Sequence, residues 1–404
     1  MADNKENRIH KSSIEREQSQ TCLNSTEREN IKGSKNLNVP HLRFPEFSGE
    51  WEKCKLSEVC SFFSGGTPSS SKKEYYNGSI PFIRSGEIHV NKTELFITEE
   101  GLNNSAAKKV EIGDLLLALY GATSGDIAIS QINGAINQAI LCIRTTQNKK
   151  FIESVWKKHV NKLLQTYLQG GQGNLSADIV KNISFYLTSN IEQNKLARLV
   201  SLLDKRISTQ NKIIEDLKLL KSAIRKKVFV SLKEKQTESC EIDQLLTYEQ
   251  PTAYIVTNDE YSTDTTLIPV LTANKGFVLG YTDEDFSIYQ KGECIIFDDF
   301  TMDAKYVSFP FKVKSSAIKI LTAKPNVNLR FIFEYLLYLE LKSAEHKRHY
   351  ISEIASLVVE LPLKEIQNKI ASLMTLLDNK LALEENTKVK YEDEKQYLLS
   401  QMFI

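Results

Sequence analysis

The C-terminal part of this chain repeats, with substitutions, a stretch that lies 174 residues earlier. Gln193 to Phe229 and Gln367 to Phe403 superpose without a gap, and the superposition places Asp204 on Asp378. Self-similarity of this length is the signature of a chain built from related halves. The repeat therefore predicts that one structural plan is used twice.

Both copies are predicted to be helices with an apolar seam. Apolar side chains recur every seven residues, and neither Gly nor Pro interrupts either copy. This pattern favours a coiled coil, and two such helices in one chain most simply pack on each other. Separate packing of each helix on its own domain is the alternative. The seam comprises Leu196, Leu203, Gln210, Leu217 and Ile224, then Ile370, Leu377, Glu384, Tyr391 and Leu398; between the first five lie Leu199/Val200, Ile207, Ile213/Ile214, Leu220 and Val228.

Each seam has a polar residue at its centre, Gln210 in the first copy and Glu384 in the second. They are 174 positions apart, so they are equivalent in the repeat. An antiparallel pair related by the repeat brings its midpoints together, whereas a staggered pair generally does not. We therefore predict that the Gln210 amide faces the Glu384 carboxylate in a polar layer that fixes register and orientation. Rotation of both side chains into solvent is the alternative.

Composition sets the class of protein. The chain has 404 residues, of which 41% are hydrophobic and 25% charged, which is typical of a globular protein of two or more domains. No apolar run approaches the roughly 20 residues that span a bilayer, and the N-terminus lacks the apolar core of a signal peptide. A cytoplasmic protein is expected. Six cysteines without CxxC pairing predict free thiols rather than a metal site or disulfides.

The chain divides into domain, helix, domain, helix. Short strand-like runs and glycine-rich turns predict a mixed α/β domain at 37–190, and a diverged copy at 238–362 keeps the same order of segments. The fold class is α+β, with two such domains in tandem. The helical regions are 191–237 and 363–404, and the polar leader 1–36 is expected to be mobile or weakly helical.

Five local features occur in a characteristic order. They are GGTPS followed by tyrosines, IPFIRSGEI, GDLLLALYG, GGQGNLSADIVKNI, and QNKLA or QNKIA opening the helices. In this order, residues 39–404 resemble the specificity subunit of type I restriction-modification systems. The resemblance implies two target recognition domains, each contacting one half of a split DNA sequence, on helices paired as an antiparallel coiled coil.

The resemblance also implies partners and cofactors. Two methyltransferase subunits and restriction or translocase subunits would bind this chain and double-stranded DNA, and S-adenosylmethionine, ATP and Mg²⁺ would act in those partners, with no cofactor in this chain. A helix from Leu196 to Val228 is about 50 Å long at 1.5 Å per residue. One turn of DNA is about 34 Å, so helices of this length suit a ruler between half-sites.

Charge is unevenly distributed. Lys and Arg exceed Asp and Glu by 3 in residues 51–190 and by 7 in 191–237, whereas acids are in excess by 8 in 238–361 and by 1 in the last helix. Phosphate attraction is therefore expected on the first domain and the central helix, and the acidic domain needs contacts from partners. The candidates on the helix are Arg225, Lys226, Lys227, Lys233 and Lys235, for which a solvated helix end is the alternative.

Base contacts are predicted from polar and aromatic loop residues. Arg and Lys pair with guanine, Gln and Asn with adenine, and Asp with cytosine. An ordinary surface loop is the alternative for each. The candidates are Thr67, Ser69, Lys72, Lys73, Tyr75, Arg84, Tyr120 and Gln172 in the first domain, and Tyr248, Gln250, Tyr254, Asn274, Lys275, Asp299, Thr301, Lys305, Lys347 and Arg348 in the second.

Catalytic signals are weak. Asp298 and Asp299 near Asp303-Ala304-Lys305 could hold Mg²⁺, but the first domain has no equivalent. His346 and His349 lack a third ligand nearby. No GxxxxGK[ST] string is present to hold ATP phosphates. We expect a DNA-recognition subunit that is not catalytic alone; the alternative is a coiled-coil adaptor that recruits proteins without reading DNA.

Overall fold

A computed structural model describes residues 38–167, 175–233, 237–272, 276–341 and 349–404. The predicted polar leader, 1–36, lies outside the described residues. The chain forms two compact units. Of the described residues, those up to Ala197 and Leu399–Ile404 form the first unit, and those within Arg198–Leu398 form the second. Among the described helices, none is long and apolar enough to cross a membrane.

The first unit alternates short strands with helices. Its elements are β1 (Glu52–Lys55), α1 (Leu56–Val59), β2 (Cys60–Ser64), β3 (Tyr76–Ile83), β4 (Leu95–Ile97), α2 (Glu99–Asn103), β5 (Lys108–Val110), β6 (Leu115–Ala118), β7 (Ile127–Ile129), β8 (Gly134–Ile136), β9 (Ile140–Thr145), α3 (Lys149–Tyr167), α4 (Ala177–Asn182) and β10 (Ser184–Leu187), followed by the start of α5 (Asn190–Leu232).

Two four-stranded sheets form the body of the first unit, in the orders β4-β3-β8-β5 and β2-β9-β6-β7. Every residue of β6, Leu115–Ala118, is buried, as expected for a continuous apolar run in the centre of a domain. β3 pairs with β8 in parallel, and the neighbouring pairs are antiparallel. β1 pairs with β10, which brings the two ends of the domain together.

The second unit continues with the remaining elements. They are β11 (Glu238–Glu241), α6 (Ile242–Leu245), β12 (Leu246–Glu249), β13 (Ile268–Leu271), β14 (Val278–Thr282), β15 (Cys294–Asp298), β16 (Ala304–Val307), β17 (Lys312–Val313), β18 (Ile318–Ala323), α7 (Leu329–Tyr338), a π-helical turn (Tyr350–Ile354), β19 (Val358–Leu361) and α8 (Lys364–Met402).

The second unit repeats the strand order of the first, except that one sheet has three strands among the described residues where the first unit has four. β12-β18-β15-β16 corresponds to β2-β9-β6-β7, and β14-β13-β17 corresponds to β4-β3-β8. The parallel pair recurs as β13 with β17, and the closing pair recurs as β11 with β19. The predicted tandem of mixed α/β domains is confirmed.

α5 and α8 are antiparallel within the second unit. Lys218 pairs with Glu385 at 2.9 Å and Lys221 with Asp378 at 2.5 Å, so residue numbers fall on α8 as they rise on α5. The apolar layer buries Val200, Leu203, Ile214 and Met374, as a heptad seam requires. The prediction of Leu220 in this seam is wrong, because its side chain is exposed and Lys221 occupies the heptad position.

Candidate nucleic-acid interface and its scaffold

The GGTPS loop of the first unit is held against the sheet. A Cβ on Gly65 would lie 1.8 Å from the Ile136 carbonyl oxygen, so only glycine permits this approach. Further along, the Thr67 hydroxyl donates to the Gln138 side-chain oxygen at 2.6 Å. Thr67 is exposed, as are Ser69, Lys72 and Lys73. These four side chains remain candidates for DNA contact.

Tyr75 supports this loop from below. Its side chain is buried in the core, while the Lys72 ammonium donates to the Tyr75 hydroxyl at 2.8 Å. The ring cannot reach a base in this arrangement, so the prediction that Tyr75 contacts DNA is wrong. Tyr120 differs, since its ring is exposed at the turn that precedes Gly121.

Arg84 is engaged by two carboxylates. Its guanidinium donates to Glu87 at 3.0 Å and to Glu94 at 2.7 Å. Glu87 also accepts the Thr93 hydroxyl and the backbone N–H groups of Arg84 and Glu94. Burial alone would raise the pKa of Glu87, but the bond from Arg84 and the others outweigh it and lower that pKa to about 2. Arg84 therefore shapes the loop between β3 and β4. This role is visible only once its ion pair with Glu87 is known.

Tyr248, Gln250, Thr301 and Lys305 are exposed candidates in the second unit. Tyr254 is buried, and its hydroxyl donates to Glu249 at 2.7 Å, so the prediction that it contacts a base is wrong. The remaining loop candidates, Gln172, Asn274, Lys275, Lys347 and Arg348, lie outside the described residues, as do Lys235 and His346.

Asp298 and Asp299 are both buried. Asp299 accepts the backbone N–H groups of His349 and Tyr350 at 3.1 and 2.8 Å and lies 3.5 Å from the Lys319 ammonium. Asp298 accepts two further backbone N–H groups. The prediction that Asp299 reads a base is wrong, because its oxygens anchor the π-helical turn. Across the described ranges, no group of three or more His, Cys, Asp or Glu side chains could hold a metal ion.

The three basic residues near the end of α5 are not equivalent. Lys226 and Lys227 are exposed, whereas Arg225 donates to the buried Glu334 of α7 at 2.8 Å. Lys221 and Arg330 also contact Glu334, at 3.5 and 2.6 Å. Three cations thus surround one carboxylate that is completely buried. Arg225 belongs to this internal cluster, whereas Lys226, Lys227 and the exposed Lys233 remain candidates for phosphate contact.

The predicted polar layer at the centre of the helices is present. The Gln210 amide donates to the Glu384 carboxylate, and also to the Glu384 backbone carbonyl at 3.0 Å. Glu384 also pairs with Lys380, and hydrogen bonds from Lys380 and Gln210 lower the pKa of the carboxyl. Gln210 and Glu384 occupy equivalent positions in the two copies of the repeat, so their contact marks the centre of the antiparallel pair. The prediction is confirmed.

Two further bridges flank the polar layer. Lys221 contacts Asp378, and Lys395 contacts Asp204 at 2.6 Å. The two lysines are 174 residues apart, and so are the two aspartates, which makes the bridges one interaction made twice. Sequence reasoning missed them, although the repeat aligned both pairs.

Each α/β domain is also joined to the first turn of its following helix. In the first unit, the buried Gln193 accepts the Asn148 backbone N–H at 3.2 Å and donates to the Thr188 carbonyl at 2.7 Å. In the second, the buried Gln367 accepts the Asn328 backbone N–H and donates to the Pro362 carbonyl.

The sequence matches the model of one protein family twice. The family is described as "Type I restriction modification DNA specificity domain", and the matches cover residues 48–219 and 234–392. The chain belongs to this family. Each match takes in one recognition domain and most of the helix that follows it, which is the repeat found in the sequence.

Relatives with curated descriptions include two specificity subunits. That of the type I restriction enzyme EcoR124I/EcoR124II of Escherichia coli is 38% identical over 182 residues, covering 41% of this chain and 45% of that protein. That of MjaVIII of Methanocaldococcus jannaschii is 24% identical over 193 residues, covering 46% and 43%. The aligned stretch spans less than half the length of these two relatives.

Two solved structures share the fold over most of their length. The S subunit of a type I restriction-modification system from M. genitalium aligns over 91% of this chain and 99% of its own, with a TM-score of 0.61 and 15% identity. A chain from a study of complex assembly and conformational transition in the type I system aligns over 87% and 97%, with a TM-score of 0.53 and 14% identity.

Proposed function

We propose that this chain is the DNA-recognition subunit of a type I restriction-modification complex. Each recognition domain would bind one half of a bipartite target. The observation that carries this proposal is a duplicated strand topology whose loops have diverged. In the first unit β3 and β4 are joined through residues 84–94, whereas β13 and β14 are joined through 272–277. Different loops on one framework suit two different half-site sequences.

The paired helices would determine the separation of the half-sites. α5 has 43 residues, which corresponds to about 65 Å at 1.5 Å per residue. The central Gln210–Glu384 layer and the flanking lysine–aspartate bridges oppose sliding of one helix along the other. A fixed register would make the spacer between half-sites a constant of the protein.

The outer faces of the helices suit protein partners. Leu202 of α5 and Leu376 of α8 are equivalent in the repeat, and both are largely exposed, at 53% and 66%. Leu219 and Leu383 add exposed apolar surface to the same helices. Exposed leucines on both helices, two of them equivalent in the repeat, would suit contact with partner subunits. Two such faces would bind two methyltransferase subunits, with restriction or translocase subunits joining the complex.

Chemistry would belong to those partners. Backbone N–H groups donate to Asp298 Oδ1 and Asp299 Oδ1, so both side chains contribute to the local fold. We infer that this chain is not catalytic alone and holds no cofactor. S-adenosylmethionine for adenine methylation, and ATP with Mg²⁺ for cleavage, would act in the partner subunits.

Sequencing of methylated DNA from cells with and without this gene tests the proposal. A split methylation motif that depends on the gene is the expected result. Gel shifts with the purified chain and its methyltransferase partner test the alternative adaptor role. An adaptor would bind the partner without any sequence preference on DNA, and no motif would disappear when the gene is removed.

A further inference from the structure

We propose that Gln193 and Gln367 are positioning residues that orient each recognition domain on its helix, and thereby help to set the spacer between the half-sites. This inference rests on the proposed function. It assigns part of the spacing to the two joints described above, in addition to the length of the helices.

Each joint ties three segments together through one buried amide. Gln367 receives the N–H of Asn328, which caps α7 through the Phe331 N–H at 3.0 Å. It gives its own N–H to Pro362, the residue after β19. The recognition domain therefore meets the first turn of α8 at fixed hydrogen-bond angles, because a buried amide cannot exchange these partners for water.

The same joint recurs in the first unit even though the two domains have diverged. Gln193 connects the Asn148 N–H at the start of α3 with the Thr188 carbonyl beyond β10. A second contact is also duplicated: Asn148 donates to Asn194 at 2.7 Å, as Asn328 donates to Asn368 at 2.8 Å. Retention of a complete hydrogen-bond set in both units is expected of a joint whose geometry matters in both.

The two joints differ in their reinforcement. In the first unit the preceding Glu192 is buried against Arg43 at 2.7 Å, and this ion pair remains when Gln193 is replaced. The residue equivalent to Glu192 in the second unit is Ile366, which cannot form an ion pair. Loss of the glutamine should therefore loosen the second joint more than the first.

The test measures methylation by the assembled complex on duplexes with the mapped half-sites and a spacer of native length or one base pair longer. For Gln367→Ala we expect the methylation rate on the native spacer, divided by the rate on the longer spacer, to fall by about tenfold. The physical reason is that misplacement of reacting groups by about 1 Å can cost about 100-fold in rate. Gln193→Ala should lower the ratio less. The half-site sequences should stay unchanged in both variants.

Gln396→Ala, at an exposed glutamine on α8, is the matched control and should keep the wild-type ratio. Gln367→Glu keeps a side-chain oxygen that accepts the Asn328 backbone N–H. This variant is used in place of Gln367→Ala if the alanine variant does not fold. A wild-type ratio in both joint variants, with only a lower melting temperature, would overturn the inference and leave the glutamines a purely structural role. A wild-type complex without any methylation motif would instead refute the proposed function.

Discussion

The two recognition domains share their strands and differ in their loops and charge. β6 and β15 are each buried along their whole length, and each lies between two antiparallel neighbours. By contrast, residues 51–190 carry three excess positive charges, whereas residues 238–361 carry eight excess negative charges. Buried strands tolerate few substitutions, while exposed loops can change without loss of the fold. The comparison shows how one framework can carry two surfaces.

The contacts between each domain and a helix end are the same in both units, as the buried strands are. Phe151 of the first unit packs on Phe403 with ring centroids 5.5 Å apart, and Phe331 of the second packs on Phe229 at the same distance. Phe229 and Phe403 are equivalent in the repeat. What is common to the two units therefore includes their attachment to the helices, and what differs is the surface.

The largest expected effect comes from exchanging one surface. Replacement of residues 51–190 by another recognition domain should change one half of the methylation motif completely and leave the other half as it was. The reason is that each domain has its own sheets and cores. Methylome sequencing reads the result, and a change in both halves would show that the domains do not read independently.

A second prediction concerns the buried Glu334, which has no charged counterpart at the equivalent position of the first unit. Glu334→Ala should lower the free energy of unfolding by about 3–5 kcal/mol, because it leaves Arg225, Lys221 and Arg330 without their common partner. The equivalent position in the first unit is the buried Ser154, which donates to the Lys150 carbonyl. Ser154→Ala should cost about 1 kcal/mol. Urea unfolding measures both, and equal losses would contradict the comparison.

Each unit contains a glutamate with a lowered pKa, so we expect the free energy of unfolding of each to fall in acid. Burial would raise the pKa of Glu87 and of Glu284, but hydrogen bonds led by Arg84 and by Lys312 lower each to about 2. The unfolded value is about 4.3, so each contributes stability above that pH, which is lost as pH falls toward 2. Glu87→Gln should remove on the order of 1–3 kcal/mol at pH 7 and flatten this acid dependence. Unfolding followed between pH 2 and about 5 checks it, with Glu284→Gln as the counterpart; an unchanged slope would exclude the role.

Removal of the polar layer should have a smaller effect on stability, and crosslinking at the layer tests the orientation of the helices. Gln210→Ala should cost about 1–2 kcal/mol by leaving the Glu384 carboxylate without its amide donor. Cysteines at 210 and 384 should crosslink under mild oxidation. Cysteines at 203 and 377 are the control and should not, because these positions would meet only in a parallel pair. Preferential crosslinking of the control pair would contradict the antiparallel arrangement.

The smallest expected effect is electrostatic. Lys226→Ala with Lys227→Ala should weaken binding to all DNA sequences and lower the salt slope of log K by up to about 1.8, at about 0.9 for each phosphate that is no longer neutralised. Arg225→Ala should leave that slope unchanged and reduce stability instead, because Arg225 is paired with Glu334. A loss of sequence discrimination at constant slope would assign the lysines to base reading or to domain structure.

The sequence by itself determined the periodic and repeated parts of this protein. A heptad pattern and a constant offset of 174 residues predicted the paired helices and the Gln210–Glu384 contact, because register and repeat together leave one antiparallel alignment. Ordered motifs predicted the family. The mixed α/β character of the two domains followed from short apolar runs and turn residues.

Only the tertiary structure decided which polar residues are available to DNA. Tyr75, Tyr254 and Asp299 have the side chains of readers, yet all three are buried and bonded internally, while Thr67, Tyr120 and Tyr248 are exposed. Arg225 and Lys226 are neighbours in one basic run, and one is paired with a carboxylate from another helix. Local sequence carries the chemistry of a side chain, but burial and pairing depend on segments that are distant in the chain and adjacent only after folding.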